Sequence, residues 1–268
     1  MLVVGMIDGN RFRVVRQEFV VPNLKQDCKF VLISDLHNKI YGNNNESVIA
    51  AVKSINPDFI VIAGDLVTSK LKEPMDAGIN LVNALSKDFP IYYGLGNHEN
   101  KIKTRDYFGD KYEQLIKALS NQNVYVLENQ NSIIPKYNIC ITGLNLDLNY
   151  FAHFRLRKMH KDYLTSVIGK SDDKYCNILI AHNPDYFPEY AMWGADLVLS
   201  GHVHGGIMRL PFIGGVIAPS YEIFPKYDGG VFTEGKSTML LGRGMGSHTI
   251  PFRFFNPAEL YEVILKSE

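Results

Sequence analysis

Five short polar clusters, each closing a strand-length apolar run, hold the residue types that bind metal ions. They are Asp35-x-His37, Gly64-Asp65, Gly96-Asn97-His98-Glu99, His182 and Gly201-His202-x-His204. The chain has eight histidines, and five of them fall in these positions. One such His alone is more often a hydrogen-bonded structural group than a ligand, and a single Asp-x-His arises readily by chance. Five clusters at the same end of one sheet are strong grounds for a site. Asp, Asn and His form an oxygen and nitrogen ligand set without thiolate, which suits Mn, Fe, Zn or Co and is too nitrogen-rich for Ca or a pure Mg site. Three carboxylate or amide groups and four His overfill one metal, whereas two ions sharing a carboxylate would use them all. Two ions about 3.5–4 Å apart can clamp the attacking and leaving oxygens of an in-line phosphoryl displacement.

The elements that must position these groups are short and alternate in kind. β-branched runs at 30–33, 59–62 and 91–93 lead into the first three clusters, and runs at 177–180 and 196–199 lead into the last two. Each run is continuously apolar rather than alternating, so both faces of these strands are expected to be buried. In open α/β sheets ligands bind where the loops after the strands converge, at their carboxyl ends. Val48, Val52 and Ile55 at helical spacing predict a helix that ends at Asn56-Pro57, and helices are also expected over 77–86 and 111–120. Further strands are expected at 124–127 and 139–142, as neighbours, and at 230–233, 238–241 and 260–265. With no internal repeat, low-complexity tract or linker, residues 1–268 read as one domain.

The order D-x-H, G-D, G-N-H-E, H, G-H-x-H resembles the calcineurin-like binuclear metallophosphoesterases, from Phe30 to His204. His204-Gly205-Gly206, Arg209-Leu210-Pro211, Pro225-Lys226-Tyr227 and Gly242-Arg243-Gly244-Met245-Gly246 resemble one bacterial branch, which includes membrane-linked phosphoesterases, some acting on lipid-linked sugar nucleotides. The resemblance implies an α/β four-layer sandwich of two mixed β-sheets flanked by α-helices. It implies that Asp35, His37 and His204 bind one transition-metal ion (Mn, Fe or Zn) and that Asn97, His182 and His202 bind a second. Asp65 would bridge the two, and His98 would donate a proton to the leaving oxygen. The implied activity is hydrolysis of phosphodiester or pyrophosphate-linked substrates by a metal-bridging hydroxide, available near neutral pH because a cation lowers the pKa of bound water. The alternatives are a phosphomonoesterase and a non-catalytic metal-binding scaffold. Three positions depart from the family pattern. Thr68 stands where many relatives have a second Asp that orients the catalytic His. Ser69 and Lys70 stand where protein serine/threonine phosphatases have an Arg. Ile207 stands where the bacterial branch commonly has Gln.

Composition sets the outer bounds. Hydrophobic residues make up 46% and charged residues 21% of 268, the balance of a globular protein with a buried core. Formal charge is zero, which gives no sign of a polyanion binder such as one for nucleic acid; a small phosphoester as partner is what the resemblance implies. A membrane or a lipid-linked substrate is the second expectation, from the bacterial branch. Three scattered cysteines with no C-x-x-C point to a reducing compartment. No apolar run approaches a membrane span, which reads as cytoplasmic; membrane association through an upstream anchor is the alternative. Among weaker features, the basic run from His153 through Arg155 to Lys161 reads first as a solvated helix face. Gly242, Gly244 and Gly246 lack the spacing of a nucleotide loop and fit better a tight turn presenting Arg243 to phosphate. Trp193 reads as core, and His248 lies beyond the matched motifs.

Overall fold

The computed structural model describes residues 5, 8–120, 123–152, 157–206, 208–210, 214–217, 223–247 and 253–268. His153, Arg155, Ile207, Pro211 and His248 lie outside the described residues. The first sheet runs β1 (Phe12–Val21), β14 (Ala258–Ser267), β2 (Cys28–Ile33), β3 (Phe59–Ala63), β4 (Ile91–Gly94) and β5 (Val124–Leu127). Its β2, β3, β4 and β5 are parallel, and β14 is antiparallel to β2 but parallel to β1. The second sheet runs β12 (Gly230–Glu234), β13 (Ser237–Leu241), β9 (Leu197–Ser200), β8 (Cys176–Ala181), β7 (Ile139–Leu144) and β6 (Gln130–Ile134). There β13, β9, β8 and β7 are parallel, with antiparallel strands at both edges. A two-stranded ribbon, β10 (Met208–Leu210) and β11 (Gly214–Ile217), stands apart from both sheets.

The pleat explains why the strand runs are continuously apolar. Phe30 and Leu32 of β2 point into the core between the sheets, as do Phe59, Val61 and Ala63 of β3. Their neighbours Val31, Ile33, Ile60 and Ile62 point outward into a second core. That second core is closed by α1 (Glu46–Ile55), α2 (Asp76–Leu85) and α4 (Lys111–Leu119), whose buried residues Val48, Val52, Leu81, Val82, Leu85, Leu115 and Leu119 sit at helical spacing. On the far side of the second sheet, α5 (Tyr163–Ile168) and α6 (Phe187–Trp193) cover Leu179, Val198, Met239 and Leu241. The architecture is a four-layer sandwich of two mixed sheets flanked by helices. No helix among the described residues is long and apolar enough to cross a membrane.

Three expectations change. The strands at 124–127 and 139–142, expected as neighbours, fall in different sheets as β5 and β7. The polar clusters do not share one sheet: three follow β2, β3 and β4, and two follow β8 and β9 of the second sheet. Because the parallel strands of both sheets end on the same side, the five loops still meet. The long strand β1 has no counterpart in the sequence reading, since Arg13, Arg16, Gln17 and Glu18 dilute its apolar residues. It is an edge strand whose Val15 and Phe19 pack on the inter-sheet core while Val14 and Val20 face solvent.

Candidate metal centre

The loops after β2, β3, β8, β9 and β13 are knitted together by backbone hydrogen bonds. Asp35 N–H donates to Gly64 O at 3.0 Å and His37 N–H to Asp65 O at 3.0 Å. Gly201 N–H donates to His182 O at 3.1 Å, and Met245 N–H to Ser34 O at 3.0 Å, the last a link between the two sheets. Asp35, His37, Asp65, His202 and His204 all lie at positive φ, between 48° and 75°. A non-glycine residue there is uncommon and costs on the order of 1 kcal/mol or more, so five in one site mark backbone held in place for its side chains. Gly96 and Gly244 make room. A Cβ at Gly96 would collide with the Asp65 carboxylate and one at Gly244 would come within 2.9 Å of Asp35 Cβ.

The side chains converge in two groups. Asp35, His37 and His204 form one, with His204 Nε2 3.3 Å from Asp35 Oδ1 and 3.0 Å from His37 Nε2. Asp65, His182 and His202 form the other. Asp65 touches both: its Oδ2 is 3.1 Å from His182 Nε2 and 3.8 Å from His37 Nε2. Asn97 opens α3 (Asn97–Thr104) at the end of β4; its Oδ1, like Asp35 Oδ2, is buried with no hydrogen-bond partner among the described residues.

The charges say what the arrangement lacks. Burial pushes the Asp35 carboxyl up to about 6, His182 pulling it down and Asp65 adding to the rise. Burial would raise Asp65 too, but the facing imidazoles of His182, His98 and His37 hold it well below the usual carboxylate range. Burial alone would lower His182, yet Asp65, Asp35 and the Ala63 carbonyl carry it up to about 10. Its Nδ1 lies 2.7 Å from Ala63 O and so donates there, which turns Nε2 toward the two carboxylates. Two carboxylates this deeply buried need positive charge between them. Protonated imidazole supplies some, and two orphaned oxygens are left over. The donor set and the orphaned atoms fit divalent cations.

His98 differs from the other histidines. The Ser69 N–H donates to its Nδ1 at 2.7 Å, so in the neutral ring Nδ1 is the acceptor and Nε2 carries the hydrogen. A protonated Nε2 is a donor, not a ligand. It faces Asp65 Oδ2 from 3.9 Å, and burial lowers the pKa of the ring.

Several supporting residues carry no role in the sequence reading. Glu99, fully buried, accepts from Asp65 N–H at 2.9 Å, Gly96 N–H at 2.8 Å and Val67 N–H at 3.3 Å, binding the β3 and β4 loops to each other. Arg253 is buried among carbonyls: it donates to Asn256 O at 2.8 Å, Gly246 O at 2.5 Å, His204 O at 3.2 Å and Arg243 O. Asn256 Nδ2 also donates to His204 O and to Gly206 O, each at 2.7 Å. A single arginine in the run Phe252-Arg253-Phe254-Phe255 is the signal that could have found it. Phe151 sets its ring against His202, centroids 5.1 Å apart, as a wall of the site. Arg243 is paired with the buried Glu259 at 3.1 Å, and Glu259 also accepts from Arg13 and Tyr261.

Comparison with known proteins places this geometry. Residues 28–206 match the family model for the calcineurin-like phosphoesterase. A protein of Campylobacter jejuni named as an uncharacterized metallophosphoesterase is 30% identical over 92% of this chain and 62% of its own length. One of Bacillus subtilis with the same description is 28% identical over 92% of this chain and 82% of its own. A phosphodiesterase of Escherichia coli is 24% identical over 82% of this chain and 75% of its own. The chain thus spans less than two thirds of the Campylobacter relative.

Proposed function

The chain belongs to the calcineurin-like phosphoesterase family, and from that premise we propose a two-metal hydrolase that prefers phosphodiester or pyrophosphate-linked substrates to monoesters. As a member of the family it is a hydrolase acting on phosphoric ester bonds. The observation that carries the two-metal reading is Asp65, whose Oδ2 lies within 3.8 Å of a histidine from each group. In this reading Asp35, His37 and His204 hold one ion, Asn97, His182 and His202 the other, and Asp65 both. When bound, the ions supply a water of lowered pKa and electrostatic stabilisation of the phosphoryl oxygens, and the nitrogen-rich donor set favours Mn, Fe or Zn. The protein's part is to fix the ligands, exclude solvent around Asp35 and Asp65, and present His98 Nε2–H to the leaving oxygen. Residues 1–268 act as one domain, because the segment beyond the family match contributes β12 and β13 to one sheet and β14 to the other.

The diester preference follows from charge. A monoester is a dianion near neutral pH and a diester a monoanion, so monoesterases add cations beside the metals. Ser69 occupies the position where protein phosphatases carry an Arg, and the Arg243 charge is already met by Glu259. The name of the Escherichia coli relative supports the same class. Elemental analysis after loading with excess Mn²⁺ should approach two equivalents; saturation at one, unaffected by Asn97→Ala, would sink the two-metal reading. On a panel of diesters, monoesters and nucleotide-sugars, kcat/KM should be higher for bis-p-nitrophenyl phosphate than for p-nitrophenyl phosphate. A monoester preference of about tenfold, worth about 1.4 kcal/mol of transition-state stabilisation, that collapses in Arg243→Ala would instead name Arg243 as the missing cation.

A further inference from the structure

We propose that Lys111 is a positioning residue for His98, acting through the 70–73 turn that directly follows the Ser69 amide. The inference rests on the reading of His98 Nε2–H as the hydrogen-bond donor to the leaving oxygen. Thr68 stands where relatives place an orienting Asp; here the Ser69 N–H donates to Nδ1 and orients the neutral ring, with its hydrogen on Nε2. A backbone donor is only as well placed as the segment that carries it. On one side of Ser69 the buried Leu66, Val67 and Thr68 hold the chain, but on the other Lys70, Leu71 and Lys72 are exposed and have little packing of their own.

Lys111 supplies the hold. It is buried, and its Nζ donates to Lys70 O at 2.6 Å and to Glu73 O at 2.7 Å, closing the turn from both ends. Glu73 adds a second tether, accepting from Asn38 Nδ2 at 3.3 Å in the loop that carries His37. Lys111 is also the first residue of α4, where the positive end of the helix dipole disfavours a cation. A residue that breaks a local rule in this way is explained by its contacts, and here those contacts are the two carbonyls of the turn. The chain of placement runs from Lys111 to the turn, to Ser69 N–H, to the His98 ring.

The test is a double-mutant cycle in the metal-loaded enzyme with a poor-leaving-group diester. Lys111→Met should lower kcat by about 10- to 100-fold, the scale on which a displaced catalytic group matters, with KM and metal content nearly unchanged. Lys111→Arg should restore most of the loss, and Lys111→Gln guards against a variant that folds poorly. In a His98→Ala background Lys111→Met should change kcat by less than about twofold, because the two residues act in series. In the Zn²⁺-loaded protein, ¹⁵N-histidine spectra should show His98 as the Nε2–H tautomer and lose that signature in Lys111→Met. A loss of the same size in both backgrounds, or full activity in Lys111→Met, overturns the proposal. Should His98→Ala cost nothing, the donor reading falls separately, and an unchanged His98 spectrum in Lys111→Met would still overturn the placement.

Discussion

His98 and its neighbour Asn97 share a helix turn but differ in what their polar atoms are free to do. Asn97 Oδ1 is an orphaned acceptor, while the nitrogen His98 would need for ligation already carries a hydrogen. His98→Ala should therefore keep both metal equivalents and lose about 10²–10⁴ in kcat, the usual scale for a group that donates to the leaving oxygen. The loss should shrink with p-nitrophenolate-like leaving groups, which need little protonation; loss of metal in this variant would contradict the assignment. Asn97→Ala should do the reverse, lowering metal stoichiometry first. At this scale the convergence of Asp35, His37, Asp65, His182, His202 and His204 is legible in the sequence, because Asp and His recur at strand ends where few other roles place them. Ser69 is not legible, since its contribution is a backbone amide that any residue but proline provides. Thr68 signals only that the usual orienting group is missing.

Among the elements, the loops are shaped by partners distant in sequence. His204 is presented by the loop after β9, yet its carbonyl is held by Arg253 and Asn256, which lie just before β14. Removing the Asn256 amide strips a donor from two carbonyls, His204 O and Gly206 O, in a buried setting. His204 O keeps Arg253, but Gly206 O is orphaned, at a cost of about 1–3 kcal/mol, so Asn256→Ala should lower Tm and also weaken an ion bound by Asp35, His37 and His204. Titration with Mn²⁺ should then show one weakened site beside one of normal affinity; equal weakening of both would mean a general loosening instead. The strands that lead into the clusters are readable because both faces are buried, which makes their runs apolar throughout. β1, β6 and the short helices α3 and α5 are not: the edge strands mix polar or charged residues into the pattern, and helices of about two turns show too few periods to register. The pairing of β14 between β1 and β2, antiparallel to one and parallel to the other, depends on long-range contacts that no local pattern encodes.

Across the whole molecule, the two sheets are joined in two physically different ways. Between them lies an apolar core that includes Phe30, Phe59, Ile139, Ile178 and Val263 and needs no ion. At the carboxyl ends of the strands, the join is made by charged groups: Asp35 and Asp65 from the first sheet face His182 and His204 from the second, at 3.1–3.7 Å. Cations bound there would be ligated from both sheets at once and would stabilise the native state only, because the unfolded chain does not bring these residues together. At a free ion concentration about 100 times Kd that linkage is worth about 2.7 kcal/mol per site. Loading with Mn²⁺ or Zn²⁺ after treatment with chelator should therefore raise Tm in a concentration-dependent way, and Asp65→Asn should abolish most of the rise. Hydrogen exchange should locate the effect. Amides of the loops at 34–38, 64–69, 201–206 and 242–246 should slow on loading, while those of β3 and β8, already enclosed by apolar side chains, should not change. Slowing spread evenly through both sheets would mean that the ions act on the fold as a whole. Confinement to those loops would mean that the apolar core sets the fold, leaving the ions to order the ends of the strands that do the chemistry.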